Sequence, residues 1–181
     1  MNRLTMPMVV AAVVGASLGV PVVASAQYKQ TRQGFWFNIG LGYGSLGCKD
    51  CSGRTGSVSG GLALGGTLSQ KVVIGGGTNG WTKSENGATL TVSTLTALIR
   101  FYPSATGGFF LLGGLGVGQI HGSVSGFGSA TETGVGAVLG LGYDIRVGNN
   151  LSITPFWNGF AMNSSNSDAN VAQIGLGLTV N

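Results

Sequence analysis

From Gln33 to the C-terminus, apolar side chains recur at every second position, and the 3.6-residue spacing of a helix is absent. A chain patterned this way folds as strands with two unlike faces. Eight segments carry the pattern. The first, Phe35 to Tyr43, sets Phe35, Phe37, Ile39, Leu41 and Tyr43 against Trp36, Asn38, Gly40 and Gly42. The second, Ser57 to Leu68, sets Val58, Leu62, Leu64 and Leu68 against Ser57, Ser59, Gly61, Ala63 and Thr67. The third, Val72 to Trp81, is blurred by glycines after Val72 and Ile74. In the fourth, Thr89 to Tyr102, Leu95, Ala97, Ile99 and Phe101 oppose Thr94, Thr96, Leu98 and Arg100. The fifth, Phe109 to Gln119, opposes Phe109, Leu111, Leu115 and Val117 to Phe110, Leu112 and three glycines. The sixth, Val135 to Val147, alternates most cleanly, with Leu139, Leu141, Tyr143, Ile145 and Val147 opposite Gly140, Gly142, Asp144 and Arg146. The seventh sets Leu151, Ile153, Pro155 and Trp157 against Ser152, Thr154, Phe156 and Asn158. The eighth sets Ala172, Ile174, Leu176, Leu178 and Val180 against Gln173, Gly175, Gly177 and Thr179.

Charge placement decides which solvent each face meets. Only 14 of the 181 residues are ionised, nine Lys or Arg and five Asp or Glu. Lys29 and Arg32 precede the first strand. Lys49, Asp50, Arg54, Lys71, Lys83, Glu85, Glu132 and Asp168 fall in connections, and Arg100, Asp144 and Arg146 fall on the glycine and threonine face. None falls on the large apolar face. A water-exposed sheet would carry Lys and Glu there, so the apolar face is expected to meet lipid and the small polar face a crowded lumen. The expected fold class is an all-β, eight-stranded antiparallel up-and-down transmembrane β-barrel. Connections after strands two, four and six (Ser69 to Lys71, Pro103 to Gly108, Gly148 to Asn150) are short or turn-like, and those after one, five and seven are long. Connection three, Lys83 to Gly87, is polar and intermediate. That rhythm fits short periplasmic turns and longer external loops. Phe35, Phe101, Phe109 and Tyr143 are expected in an aromatic girdle at the periplasmic ends, and Tyr43 and Trp157 in one nearer the outer ends.

The N-terminus reads as an address. Arg3, the uncharged apolar stretch Met6 to Leu18 and the small residues Ala24-Ser25-Ala26 make residues 1–26 a cleaved secretory signal peptide, with 27–33 a lead-in and 34–181 the barrel domain. A formal net charge of +4 comes from too few ionised groups to form a basic stripe, so no nucleic-acid partner is expected. Mean hydropathy of +0.36 argues against a solvated disordered chain despite 35 glycines.

The stretches Gly34-Phe-Trp-Phe-Asn-Ile-Gly-Leu-Gly-Tyr43, Ala97-Leu-Ile-Arg-Phe-Tyr-Pro103, Leu139-Gly-Leu-Gly-Tyr-Asp-Ile-Arg146 and Leu151-Ser-Ile-Thr-Pro155 resemble the small eight-stranded outer-membrane β-barrels of Gram-negative bacteria, the OmpA-type, OmpX-type and surface-antigen-like barrels. The resemblance implies location in the outer membrane, contact with its lipid, and a structural or surface-interaction role as a monomer, with a ligand for the external loops left open. It specifies an architecture and no activity. The chain departs from that family in its last strand, which ends Leu178-Thr-Val-Asn181 where Phe or Trp is usual.

Several residue sets bear chemistry. Eight strands enclose a space that side chains fill, so a plugged lumen is expected, with a narrow channel as alternative. Within it Arg100, Asp144 and Arg146 are expected to form a charge network, one carboxylate between two guanidiniums. Cys48-Lys49-Asp50-Cys51, in the first external loop of an exported chain, is a disulfide candidate through Cys48 and Cys51. With one His and two Cys, no metal site, cofactor or catalytic residue is expected. Gly42 to Gly47 matches G-x-G-x-x-G, but no helix follows to face a pyrophosphate. The enzyme alternative is His121 with Ser123 two residues on and Glu132 nearby, similar to the His, Ser and Glu of outer-membrane lipid A deacylases. In that reading His121 takes the proton of Ser123, Glu132 orients the imidazole, and the substrate is an acyl ester.

Overall fold

A computed structural model describes residues 32–49 and 51–181. The expected signal peptide, most of the expected lead-in, Lys29 and Asp50 lie outside the described residues. Strands follow one another as β1 (Phe35–Gly47), β2 (Thr55–Ser69), β3 (Val72–Glu85), β4 (Ala88–Phe101), β5 (Phe109–Val124), β6 (Gly128–Tyr143), a two-residue β7 (Ile145–Arg146), β8 (Leu151–Asn163) and β9 (Asp168–Val180). β7 continues β6 beyond a break at Asp144 and pairs with the same neighbour, β8, so the wall has eight staves. Each stave pairs antiparallel with the next, and β1 pairs with β9 from Phe37↔Val180 to Gly47↔Asn170. The sheet therefore closes on itself.

The register fixes the barrel's shape. Followed partner by partner from Phe37 through Leu64, Gly76, Ala97, Leu115, Ala137, Ala161 and Asn170, one row re-enters β1 at Gly47, a shift from 37 to 47, or ten residues. A shear of ten on eight strands tilts them by about 40° to the axis. The lumen is then narrow, and large inward side chains fit only beside small ones. At Gly40, for example, a Cβ would lie 2.7 Å from the Phe156 ring.

Each face is turned inward or outward as its alternation predicts. Phe35, Ile39, Leu41 and Tyr43 of β1 are exposed while Trp36, Asn38 and Gly40 are buried, and the other strands repeat this. Exposed large apolar residues such as Leu64, Leu95, Leu115, Val135, Leu139, Ile174 and Leu176 form a belt around the outside. Among the described residues every charged side chain lies at an end of the barrel or faces inward, and none lies on the belt. The apolar core is inside the lumen, where Trp81, Val92, Phe160, Met162 and Val171 close one half.

Two expectations about the ends are corrected. β5 and β6 stay paired out to Val124↔Gly128, so the long connection expected between Gln119 and Val135 is mostly hairpin, with a turn at Ser125–Phe127. The connection after β8 shrinks likewise to Ser164–Ser167, and connection three to Asn86 and Gly87. These two residues take φ of 50° and 79°, the backbone that a two-residue type I′ hairpin requires and that Asn-Gly supplies at least cost. Beyond the belt both strand faces meet water, so period-two hydrophobicity is silent there although the ladder continues. Trp157 does not belong to an outer aromatic girdle: it stands at the middle of β8 and opposite Leu141, two residues from Tyr143 of the lower ring. The lower ring does form outward, with Phe35, Phe101, Phe109 and Tyr143 all exposed near the end where β1 begins and β9 finishes.

Candidate functional site: the lumen and the hairpin end

At the end where β1 begins and β9 finishes, the lumen carries a polar cluster built from inward positions of β1, β4, β8, β9 and the Asp144 break. Asp144 is fully buried. Its Oδ2 accepts from the Tyr102 hydroxyl at 2.9 Å and its Oδ1 from Thr154 at 2.8 Å. Because a carboxylate only accepts, the rest of the chain has one direction: Thr179 donates to Thr154 (2.7 Å), and Asn38 Nδ2 donates to Thr179 (2.8 Å). Aligned donors polarise one another, which strengthens such a relay in a dry interior. Arg146 lies close enough to Asp144 for direct electrostatic attraction.

Arg100 is placed differently from the expected network. Its guanidinium carbon lies 4.2 Å from the Trp36 ring centroid and 4.4 Å from that of Phe110. The aromatic walls, rather than Asp144, hold this cation. A third arginine completes the cluster: Arg32 is fully buried, lies 3.5 Å over the Tyr102 ring, and donates to the carbonyls of Gln70 (3.1 Å), Ala105 (3.3 Å) and Gly107. It ties the segment entering β1 to two of the three turns at this end, those after β2 and β4. Arg32 and Tyr102 are missing from the sequence-derived set, although both continue the inward parity of their strands, Arg32 that of Trp36 and Tyr102 that of Arg100.

Farther up, Ser59 donates to Gln173 Oε1 and Gln173 Nε2 to Asn79 Oδ1 (3.2 Å), while Trp81 Nε1 donates to the Gly44 carbonyl (3.0 Å). Between this layer and Arg100 there remains a cavity of about 30 Å³.

The hairpin end is organised by side-chain clasps. Cys48 and Cys51 are bonded to each other, with Cα atoms 5.2 Å apart, and the Cys51 N–H donates to the Cys48 carbonyl at 3.3 Å. Arg54 binds back across the seam to Ser45 and, at 2.7 Å, to Asn170 Oδ1. Alkylation of the unreduced protein followed by mass spectrometry is therefore expected to label neither cysteine; two labelled thiols would rule out the bond. A cleft of about 880 Å³ opens at this end, bordered by Cys51, Arg54, Trp81, Lys83, Leu90 and Ser123.

The three residues of the enzyme alternative are not brought together. His121 pairs across the hairpin with Thr131, and its Nδ1 lies 2.7 Å from the Thr131 hydroxyl. Glu132 is the next residue along and so points to the opposite face of the hairpin. Its carboxylate accepts from the hydroxyls of Ser164 and Ser167. Those two donors hold the Glu132 carboxyl below its ordinary range. It serves as a clasp between β6 and the β8–β9 turn, and His121 lacks its orienting acid. Among the described residues no group of three metal-ligating side chains occurs.

The fold is that of the small eight-stranded outer-membrane β-barrels. Solved structures with it include Ail, the attachment invasion locus protein of Yersinia pestis, in complex with the heparin analogue sucrose octasulfate, at 16% identity and a TM-score of 0.59, covering 81% of this chain and 99% of Ail. Neisserial surface protein A matches at 12% identity and a TM-score of 0.61, over 81% of this chain and 96% of that one. The N-terminal β-barrel domain of Pseudomonas aeruginosa OprF matches at 14% identity and a TM-score of 0.52, over 82% and 99%. No family model matches the sequence, and no curated relative does. At these identities the likeness is one of fold.

Proposed function

We propose that this chain is an outer-membrane barrel with a closed lumen and no catalytic activity, in which the hairpin end is the working surface for a structural or surface-interaction role. One observation carries the reading: a belt of exposed apolar side chains encircles a closed barrel without one charge among the described residues. Water penalises such a surface, and a hydrocarbon layer is its natural medium. The end where β1 begins and β9 finishes faces the periplasm and residues 1–26 direct export. A closed ring leaves no unpaired edge along the belt, which supports a monomer. The small residual cavity and the apolar plug of Trp81, Phe160 and Met162 support a lumen closed to ions. Absence of catalysis is supported by the separation of Glu132 from His121. The polyanion bound by Ail has no evident counterpart at the hairpin end, where Lys49, Arg54 and Lys83 stand against Glu85, Glu132 and Asp168 among the described residues, and Lys83 is bridged to Glu85 at 2.8 Å.

Fractionation tests the location: the protein is expected in the outer-membrane fraction, with a gel mobility in detergent that changes on boiling. Recovery in the aqueous fraction with no mobility change would overturn the membrane reading. In planar bilayers the refolded barrel is expected to give no stable ohmic steps. Steps that Asp144→Asn abolishes would show an ion path through the turn-end cluster instead.

A further inference from the structure

The inward-facing charges of the described barrel do not balance. Arg32, Arg100 and Arg146 are each no more than 5% exposed and Asp144 is 0% exposed, so three buried guanidiniums face one carboxylate. Asp144 is committed to the turn end through Tyr102 and Thr154. Arg100 instead lies against ring faces, those of Trp36 and Phe110. A ring face attracts the cation but takes no hydrogen bond from N–H groups in the guanidinium plane. Arg100 Nε and Nη1 are buried and have no acceptor among the described residues. The same side chain borders the 30 Å³ cavity, whose wall also includes Asn38, Asn79, Asn158 and Gln173. Asn158 Oδ1, buried on that wall, is likewise without a partner.

We propose that this cavity holds one monovalent anion of chloride size, bound in the plane of the Arg100 guanidinium through Nε and Nη1, with a water bridging it to Asn158 Oδ1. The volume suits about two water-sized particles, which admits a halide and one water and excludes sulfate or a carboxylate. Water alone would accept the two N–H bonds and leave the charge uncompensated. Burying an ion without a counter-charge costs far more than burying a neutral polar group. The apolar layer of Trp81, Val92 and Met162 on one side and the Arg32 plug on the other make this a fixed counter-ion rather than a station on a path. The inference does not depend on the surface role, and its failure leaves that reading intact.

The test refolds the barrel in detergent with gluconate as the only anion, then substitutes bromide at constant ionic strength and follows urea unfolding by gel mobility. The unfolding constant of the wild type is expected to fall about tenfold once bromide exceeds its dissociation constant by about tenfold. Arg100→Met keeps an apolar stem between the two rings and is expected to lose the response. Crystals grown in bromide are expected to give an anomalous peak within hydrogen-bond reach of Arg100 Nε, a readout that needs no variant to fold. Equal bromide responses in the two proteins, or a cavity in bromide crystals that holds water only, would overturn the proposal.

Discussion

Leu115→Arg is expected to destabilise the barrel by ~2–4 kcal/mol in a phospholipid bilayer, the cost of a guanidinium near the midplane of the lipid face. Leu115 is 69% exposed, and its cross-strand neighbours Ala97 and Ala137 are too small to hide it. On a water-facing sheet the same substitution would fall within about 0.5 kcal/mol of neutral, since no packing is lost and the new charge is hydrated. Phe35→Arg supplies the comparison. Phe35 is equally outward but belongs to the aromatic ring at the turn end, where a cation reaches headgroups and water and costs about 0–1 kcal/mol. Urea titration of both variants in vesicles measures the difference. If Leu115→Arg costs no more than Phe35→Arg, the belt does not lie in hydrocarbon.

Gly42→Val is expected to prevent closure of the barrel. Gly42 faces Gly175 across the β1–β9 seam, the contact that turns a sheet into a ring. A Cβ on Gly42 would lie 2.1 Å from the Ile174 carbonyl oxygen and 2.7 Å from the Gly175 Cα, and one on Gly175 would lie 2.3 Å from the Leu41 carbonyl oxygen. These are backbone atoms of the paired strand, so relief requires the strands to part rather than a side chain to turn. Overpacking of this kind costs at least ~1–3 kcal/mol, and here it also forfeits ladder hydrogen bonds. Gly80→Val, also within a strand of the wall but with nothing inside 4 Å of its Cβ, is expected to fold with wild-type yield. The fraction reaching the heat-modifiable form during refolding measures both. Equal yields for Gly42→Val and Gly80→Val would mean that the seam is looser than these distances require.

Strand faces were legible because alternation is decided residue by residue: Ile39 outward and Asn38 inward need no knowledge of the rest of the chain. Placement of Arg100, Asp144 and Arg146 inside followed from the same parity. Their partners did not follow, because parity says which face a side chain shares and not which layer of the lumen it reaches. A shear of ten sets those layers, and it brings Trp36 and Phe110 to Arg100 while giving Tyr102 and Thr154 to Asp144. The candidate set His121, Ser123 and Glu132 failed for a related reason. Closeness in sequence brought Glu132 to the pair, but the hairpin register put it one residue past the position facing His121, hence on the other side of the ribbon.

By itself, then, the sequence determined the strands, their two faces and the exclusion of charge from the outer one, because each depends on a few neighbouring residues. The tertiary structure alone decided closure through Gly42 and Gly175, the length of the β5–β6 hairpin, the burial of Arg32 and the partners of each lumen charge. Those depend on register between residues far apart in the chain, such as Tyr102 and Asp144 or Asn38 and Thr179, and register is set only when eight tilted strands meet as a ring.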